Sequence, residues 1–134
     1  MSASPTTLAE AVAQAFGSDA ALAAADAGYS ERDVQQRFAQ AVASAIEDCE
    51  ALVAEAGTGV GKTFAYLVPL LLSSKRALVS TAAKSLPDQL FMRDLPRLVE
   101  ALGVPVRVAL LKGRSSYLCL HRLQQARQGF ELPD

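Results

Sequence analysis

The chain has 134 residues, 13 basic and 14 acidic side chains and a formal net charge of −1, so it has the length of one domain and no overall charge with which to hold nucleic acid. With 51% of its residues apolar it is neither disordered nor fibrous, and its longest apolar run, Ala65 to Leu72, is well short of the roughly 20 residues that cross a bilayer. The N-terminus has no basic-then-apolar leader pattern, which points to the cytoplasm and no membrane partner.

In chain order, Thr7 and Glu10 have capping-box spacing, and Leu8, Val12, Ala15 and Phe16 follow helical periodicity up to Gly17. A second helical piece is expected from about Asp19 to Ala27, ending at Gly28. Ser30 and Asp33 form another capping-box pair, after which Val34, Phe38, Ala41, Val42, Ala45 and Ile46 line one face of a helix ending near Cys49. Short N-terminal helices thus precede an alternating pattern. Leu52 to Ala54 reads as a strand, Lys62 to Leu72 as a largely buried helix, Ala77 to Ser80 as a second strand, and Leu86 to Leu102 as a helical stretch interrupted around Pro96. Val104 to Leu111 reads as a third strand and Ser115 to Gln128 as a final helix. Pro87 and Pro96 suit first turns of helices, and Gly103-Val104-Pro105 breaks the helix before its strand. Strands alternating with helices imply an α/β fold, a parallel sheet with flanking helices and right-handed crossovers, unfinished at its C-terminal end.

The segment Ala56-Gly57-Thr58-Gly59-Val60-Gly61-Lys62-Thr63 carries the chemistry. Small residues let backbone N–H groups crowd around phosphates, Lys62 can reach the β and γ phosphates, and the Thr63 hydroxyl can ligate Mg2+. Ala56 stands where Gly is usual, which is tolerable if its φ is negative. The helix beginning at Lys62 adds its N-terminal dipole to the same site. Glu55 is expected to play a structural part, because the acid that holds the metal normally comes from a later strand. Charge is divided along the chain: residues 1–56 hold nine acids and two bases, and residues 57–134 hold five acids and eleven bases, so the half with the loop is the basic one. Solvated helix faces produce the same imbalance.

Four segments resemble the DinG/YoaA group of iron-sulfur DNA helicases, in superfamily 2 beside XPD. They are Glu55 to Leu67, Ser80 to Leu90, Arg93-Asp94-Leu95-Pro96, and Leu111-Lys112-Gly113-Arg114-Ser115-Ser116-Tyr117-Leu118-Cys119, with Ser116 where that group usually has Asn. The resemblance implies a RecA-like P-loop domain binding ATP and Mg2+, with 1–28 as a helical lead-in, 29–112 as the first part of motor domain 1, and 113–134 as the start of an iron-sulfur region. It makes Arg32 and Gln35 the adenine-recognising pair, with Val34 in place of the usual Pro. Gln35 would read the base through its amide. Ser80, Thr81 and Lys84 would hold the backbone of single-stranded or forked DNA, with Lys112 and Arg114 along the same path; a strand-to-helix cap explains Thr81 as well. Cys119 matches the first of four cysteines that hold a [4Fe-4S] cluster, the others lying beyond Asp134. Cys49 is expected to be a small buried apolar residue, both cysteines to be reduced, and His121 to be a surface or packing residue and not a metal ligand. Phe64 and Tyr66 are expected in the core.

The implied parent is a 5′-to-3′ DNA helicase of DNA repair, of which this chain would supply the ATP-binding loop without the acidic metal motif, the arginine finger or the second motor domain. Weak nucleotide binding and no unwinding are expected of it alone. A small P-loop kinase, or a non-enzymatic nucleotide-binding remnant, also fits the loop.

Overall fold

The computed structural model describes residues 7–17, 22–23 and 32–129. Helix α1 (Leu8–Ala15) opens with the expected capping box: Glu10 N–H donates to Thr7 Oγ1 at 3.1 Å and Thr7 N–H to Glu10 Oε2 at 3.2 Å. The piece expected from Asp19 to Ala27 lies largely outside the described residues, although Leu22 and Ala23 are helical and Leu22 is buried in the core. Helix α2 (Asp33–Asp48) begins after Arg32, which holds the N-cap position without a side-chain cap; Ser30, the expected cap, is outside the described residues. Helix α3 (Lys62–Leu72) has the expected bounds and buries Ala65, Leu67, Val68 and Pro69. Pro69 sits inside it without an N–H to give the preceding turn.

These three helices pack on one another around Val12, Phe16, Ala39, Ala43, Ala65 and Val68. Ala39 and Ala43 lie four residues apart on α2, so a strip of small side chains lets α3 approach closely. Polar links close the edges. Leu8 N–H donates to Glu47 Oε1 at 2.6 Å, Gln36 Nε2 to the Phe16 carbonyl at 3.3 Å, and Lys75 Nζ to the Ile46 carbonyl at 2.7 Å, one of the acceptors at the end of α2. Cys49 is not in the core: it ends α2 in the left-handed region (φ 56°) and is exposed. Closing that helix in αL turns its side chain to the surface and overrides the burial a small thiol ordinarily finds.

The stretch 86–102 is helical throughout, and its interruption is a change of pitch. Helix α4 (Leu86–Gln89) runs into a π turn (Leu90–Asp94), then α5 (Leu95–Leu102), which packs on α3 and ends at Gly103 in αL. Pro96 has no N–H and its ring would press on the carbonyl four residues back; the wider turn before it, in which Leu95 N–H bonds the Leu90 carbonyl, relieves that crowding. Pro87 and Pro96 both occupy first-turn positions as expected.

The three expected strands do not form. Among the described residues no strand is present, and every backbone hydrogen bond outside the helices closes a local turn or cap. Segments 52–54, 77–80 and 104–111 therefore lack ladder partners. A strand's N–H and C=O groups are satisfied only by a neighbour, so sequence preference alone cannot hold one. Several of their apolar side chains stand in water, with Val53 99% and Leu78 94% exposed. Segments 77–81 and 106–111 line an open groove of about 500 Å³ with Leu67, Leu71, Leu90 and Leu95 behind it. The last helix also starts later than expected. Arg114–Ser116 is a single 3-10 turn, Tyr117 is extended, and α6 runs Leu120–Gly129. Lys112 N–H donates to Tyr117 Oη at 2.8 Å, which closes 112–117 into a loop ahead of α6. Among the described residues no helix is long and apolar enough to cross a membrane.

Candidate phosphate-binding site

The loop 56–61 leads into the N-terminus of α3 through Gly61, whose αL backbone (φ 80°) only glycine adopts without strain. Gly59 has the same φ, and Ala56 is not among the positive-φ residues, so its methyl group is tolerated as expected. Lys62 Nζ donates to the Ala56 and Gly57 carbonyls, 2.7 Å each, and so stands over the loop in the place where phosphate oxygens would replace those carbonyls. A Cβ added at Gly57 or Gly59 would meet nothing within 4 Å, which leaves the mouth of the loop open. Free N–H groups at the start of α3 and its dipole face the same region.

Two side chains from the start of α2 reach this loop. Arg32 Nη1 donates to the Gly59 carbonyl, and Gln35 Nε2 donates to the Gly61 carbonyl at 2.9 Å. Gln35 is buried, at 6% exposure, with its amide spent on the loop. Thr63 is half-buried and hydrogen-bonded to Tyr66 one turn on. Burial pushes the Tyr66 hydroxyl above its ordinary pKa, the Thr63 hydrogen bond opposes this, and the Asp94 charge adds to the rise. Sequence reading placed Tyr66 in the core, where its ring does pack together with Phe64, but missed its link to Thr63; the spacing of three on one helix is the signal that was present. It also missed Asp94, a carboxylate at 4% exposure that accepts from Gln89 Nε2 at 3.1 Å and from Arg93 Nε at 2.8 Å. Nothing in the residue pattern marks Asp94 as buried.

The expected nucleic-acid contacts are more scattered. Ser80 and Lys84 are exposed, and Thr81 Oγ1 donates to the Ala83 carbonyl at 3.2 Å, a local turn contact and not the expected strand-to-helix cap, because 77–80 forms no strand and the next helix starts at Leu86 with Ser85 at its N-cap. Lys112 is paired with Asp88, Nζ to Oδ1 2.6 Å, and Arg114 lies exposed on the 3-10 turn. Glu55 and His121 are exposed. Cys49 and Cys119 are free thiols, and among the described residues no three His, Cys, Asp or Glu side chains gather as a metal site. One thiolate does not make a four-thiolate cluster site, so the described residues do not by themselves fit an iron-sulfur group.

A glycine turn closed by a lysine at the head of a helix, with a hydroxyl residue next to it, defines a P-loop nucleoside-triphosphate-binding domain. The chain belongs to the DEAD/DEAH box helicase family, whose model matches residues 32–129. It is 53% identical over 119 residues to the ATP-dependent DNA helicase YoaA of Escherichia coli K12, covering 88% of this chain and 19% of that protein. It is 43% identical over 127 residues to the ATP-dependent helicase DinG of Mycobacterium tuberculosis H37Rv, covering 89% of this chain and 19% of the relative. The Bacillus subtilis protein named 3'-5' exonuclease DinG is 37% identical over 113 residues, covering 81% of this chain and 12% of the relative. The chain thus spans about a fifth or less of the length of these relatives. No solved structure matches it.

Proposed function

We propose that this chain supplies the ATP-binding loop of the first motor domain of an ATP-dependent DNA helicase of the DinG/YoaA type, active in DNA repair in the cytoplasm. The observation that carries the reading is Lys62, whose ammonium is held at 2.7 Å over the Ala56 and Gly57 carbonyls at the open mouth of the loop. A polyphosphate would take the place of those carbonyls, with N–H groups at the start of α3 around it. Thr63 would offer one hydroxyl to Mg2+, and phosphate oxygens and water would complete the shell, as suits a cation that prefers to keep its waters. When bound, the metal would supply positive charge that offsets the negative charge of the phosphates.

In the whole helicase, ATP binding and hydrolysis would drive 5′-to-3′ movement on single-stranded or forked DNA. Ser80, Thr81, Lys84 and Arg114 would contribute backbone contacts that do not read sequence, and Cys119 would serve as one of four cluster ligands. Segments 52–54, 77–80 and 104–111 would join a parallel sheet once ladder partners are supplied. The names of the relatives support the helicase reading over a small kinase.

Titration of ATP with Mg2+ into the chain, followed by calorimetry, tests the site. Saturable binding that disappears in Lys62→Ala, with an unchanged circular dichroism spectrum, is the expected result. Equal binding by the variant removes the loop from the reading.

A further inference from the structure

Thr63 and Tyr66 stand three residues apart in the first two turns of α3 and therefore share a side of it. Side chains on a helix lean toward its N-terminus, so the long Tyr66 ring carries its hydroxyl back to the first turn, where it is hydrogen-bonded to the Thr63 hydroxyl. The ring is anchored: it packs against the apolar core beside Phe64, and Ala65, Leu67 and Val68 around it in the chain are buried. Asp94, at 4% exposure, has its oxygens held by Gln89 and Arg93, and its charge acts on the same phenol and favours the uncharged form.

A threonine near the start of a helix has a choice that this contact removes. Its hydroxyl ordinarily divides between rotamers, because it can bond back to a carbonyl three or four residues earlier. For Thr63 those carbonyls belong to Val60 and Gly59, and the Gly59 carbonyl already accepts from Arg32. The Tyr66 hydroxyl offers a fixed partner instead. A hydroxyl has one proton and two lone pairs, so whichever of the two oxygens donates, a lone pair of Thr63 Oγ1 is left for a further ligand. Thr63 follows directly on Lys62, whose ammonium stands over the Ala56 and Gly57 carbonyls, so the hydroxyl held in this way adjoins the loop.

We propose that Tyr66 is a positioning residue that fixes the Thr63 hydroxyl as a ligand for the Mg2+ that accompanies the nucleotide. This rests on the loop being a phosphate site. The action of Tyr66 passes through Thr63 alone, so it is felt only when the metal is present.

The test measures ATP binding to the 134-residue chain by calorimetry, in EDTA and across a Mg2+ titration, for the native chain, Tyr66→Phe, Thr63→Ala and the double variant. Tyr66→Phe keeps the ring in the core and removes only the hydroxyl; circular dichroism checks that the helices are retained. Its metal-free affinity is expected to equal that of the native chain. The Mg2+ concentration that gives half of the metal-dependent tightening is expected to rise roughly fivefold, the scale of one hydrogen bond. Thr63→Ala loses more of that tightening, and adding Tyr66→Phe to it changes nothing further. An unchanged Mg2+ midpoint in Tyr66→Phe overturns the proposal. So does equal weakening with and without metal, or a further loss in the Thr63→Ala background, either of which marks a ring that merely supports the fold. A native chain that binds no ATP sinks the phosphate-site reading and the proposal with it. One that binds ATP without any help from Mg2+ leaves that reading standing and overturns the proposal alone.

Discussion

Lys112 and Asp88 form an ion pair of 2.6 Å that ties the end of the 104–111 segment to α4. The lysine side chain is one-third exposed and the aspartate half exposed, so the pair contributes at most about 1 kcal/mol to stability. Its larger effect is on charge, because a paired ammonium is a poorer phosphate contact than a free one. Asp88→Asn is expected to raise affinity for single-stranded DNA, and Lys112→Ala to lower it less than Lys84→Ala does. Fluorescence anisotropy at two salt concentrations measures both, and a weaker salt dependence in Asp88→Asn would contradict the release of a phosphate contact.

Gly61→Ala places a methyl group 2.1 Å from Gln35 Nε2 at φ 80°. Strain of about 1–3 kcal/mol, relieved only by moving Gln35, is expected to abolish nucleotide binding while helical content is retained. Nucleotide titration with a circular dichroism control decides it; native affinity in the variant would show that the loop tolerates a different shape.

Thr7→Ala removes one half of the capping box at the start of α1. A loss of about 1 kcal/mol is expected in a urea melt, because α1 is docked on α2 and α3 and its fraying exposes Val12 and Phe16. An unchanged midpoint would show that α1 adds little to the helical layer.

Tyr66 has a folded pKa above the ordinary tyrosine value of 10.0, chiefly through burial. The stability this gives is complete below pH 10.0 and is lost as pH rises through the folded value, because the unfolded chain loses that proton first. Tyr66→Phe is therefore expected to flatten the alkaline end of the stability profile and to leave neutral pH little changed. Equal slopes above pH 10 in both chains would assign the alkaline loss to other groups.

The helical half of the fold was legible because its signals are local. Thr7 with Glu10, the apolar stripe of α2, Gly103 as a helix stop and the two first-turn prolines act within a few residues of themselves. The strands were legible only as preference, since Leu78 or Val106 becomes a strand residue when another segment offers its backbone, and none does among the described residues. The place of the loop at the head of α3 could be read from residue type, because a tight turn onto a helix permits few side chains. Gln35 was found for one reason and sits where it does for another: sequence marked its type and spacing, and packing directed its amide to Gly61. Cys49 shows the same limit, a thiol expected inside and placed outside by the αL turn that ends its helix.

The unpaired apolar segments imply an order of construction. Contacts among α1, α2 and α3 are complete by Leu72, and the loop is already gripped from α2 at that point, so this layer can take shape while the chain is still emerging from the ribosome. Val53, Leu78 and Leu111 (88% exposed) leave apolar side chains in water, the kind that holdase chaperones cover. The loop before α3 is held by α2 before those apolar segments have backbone partners.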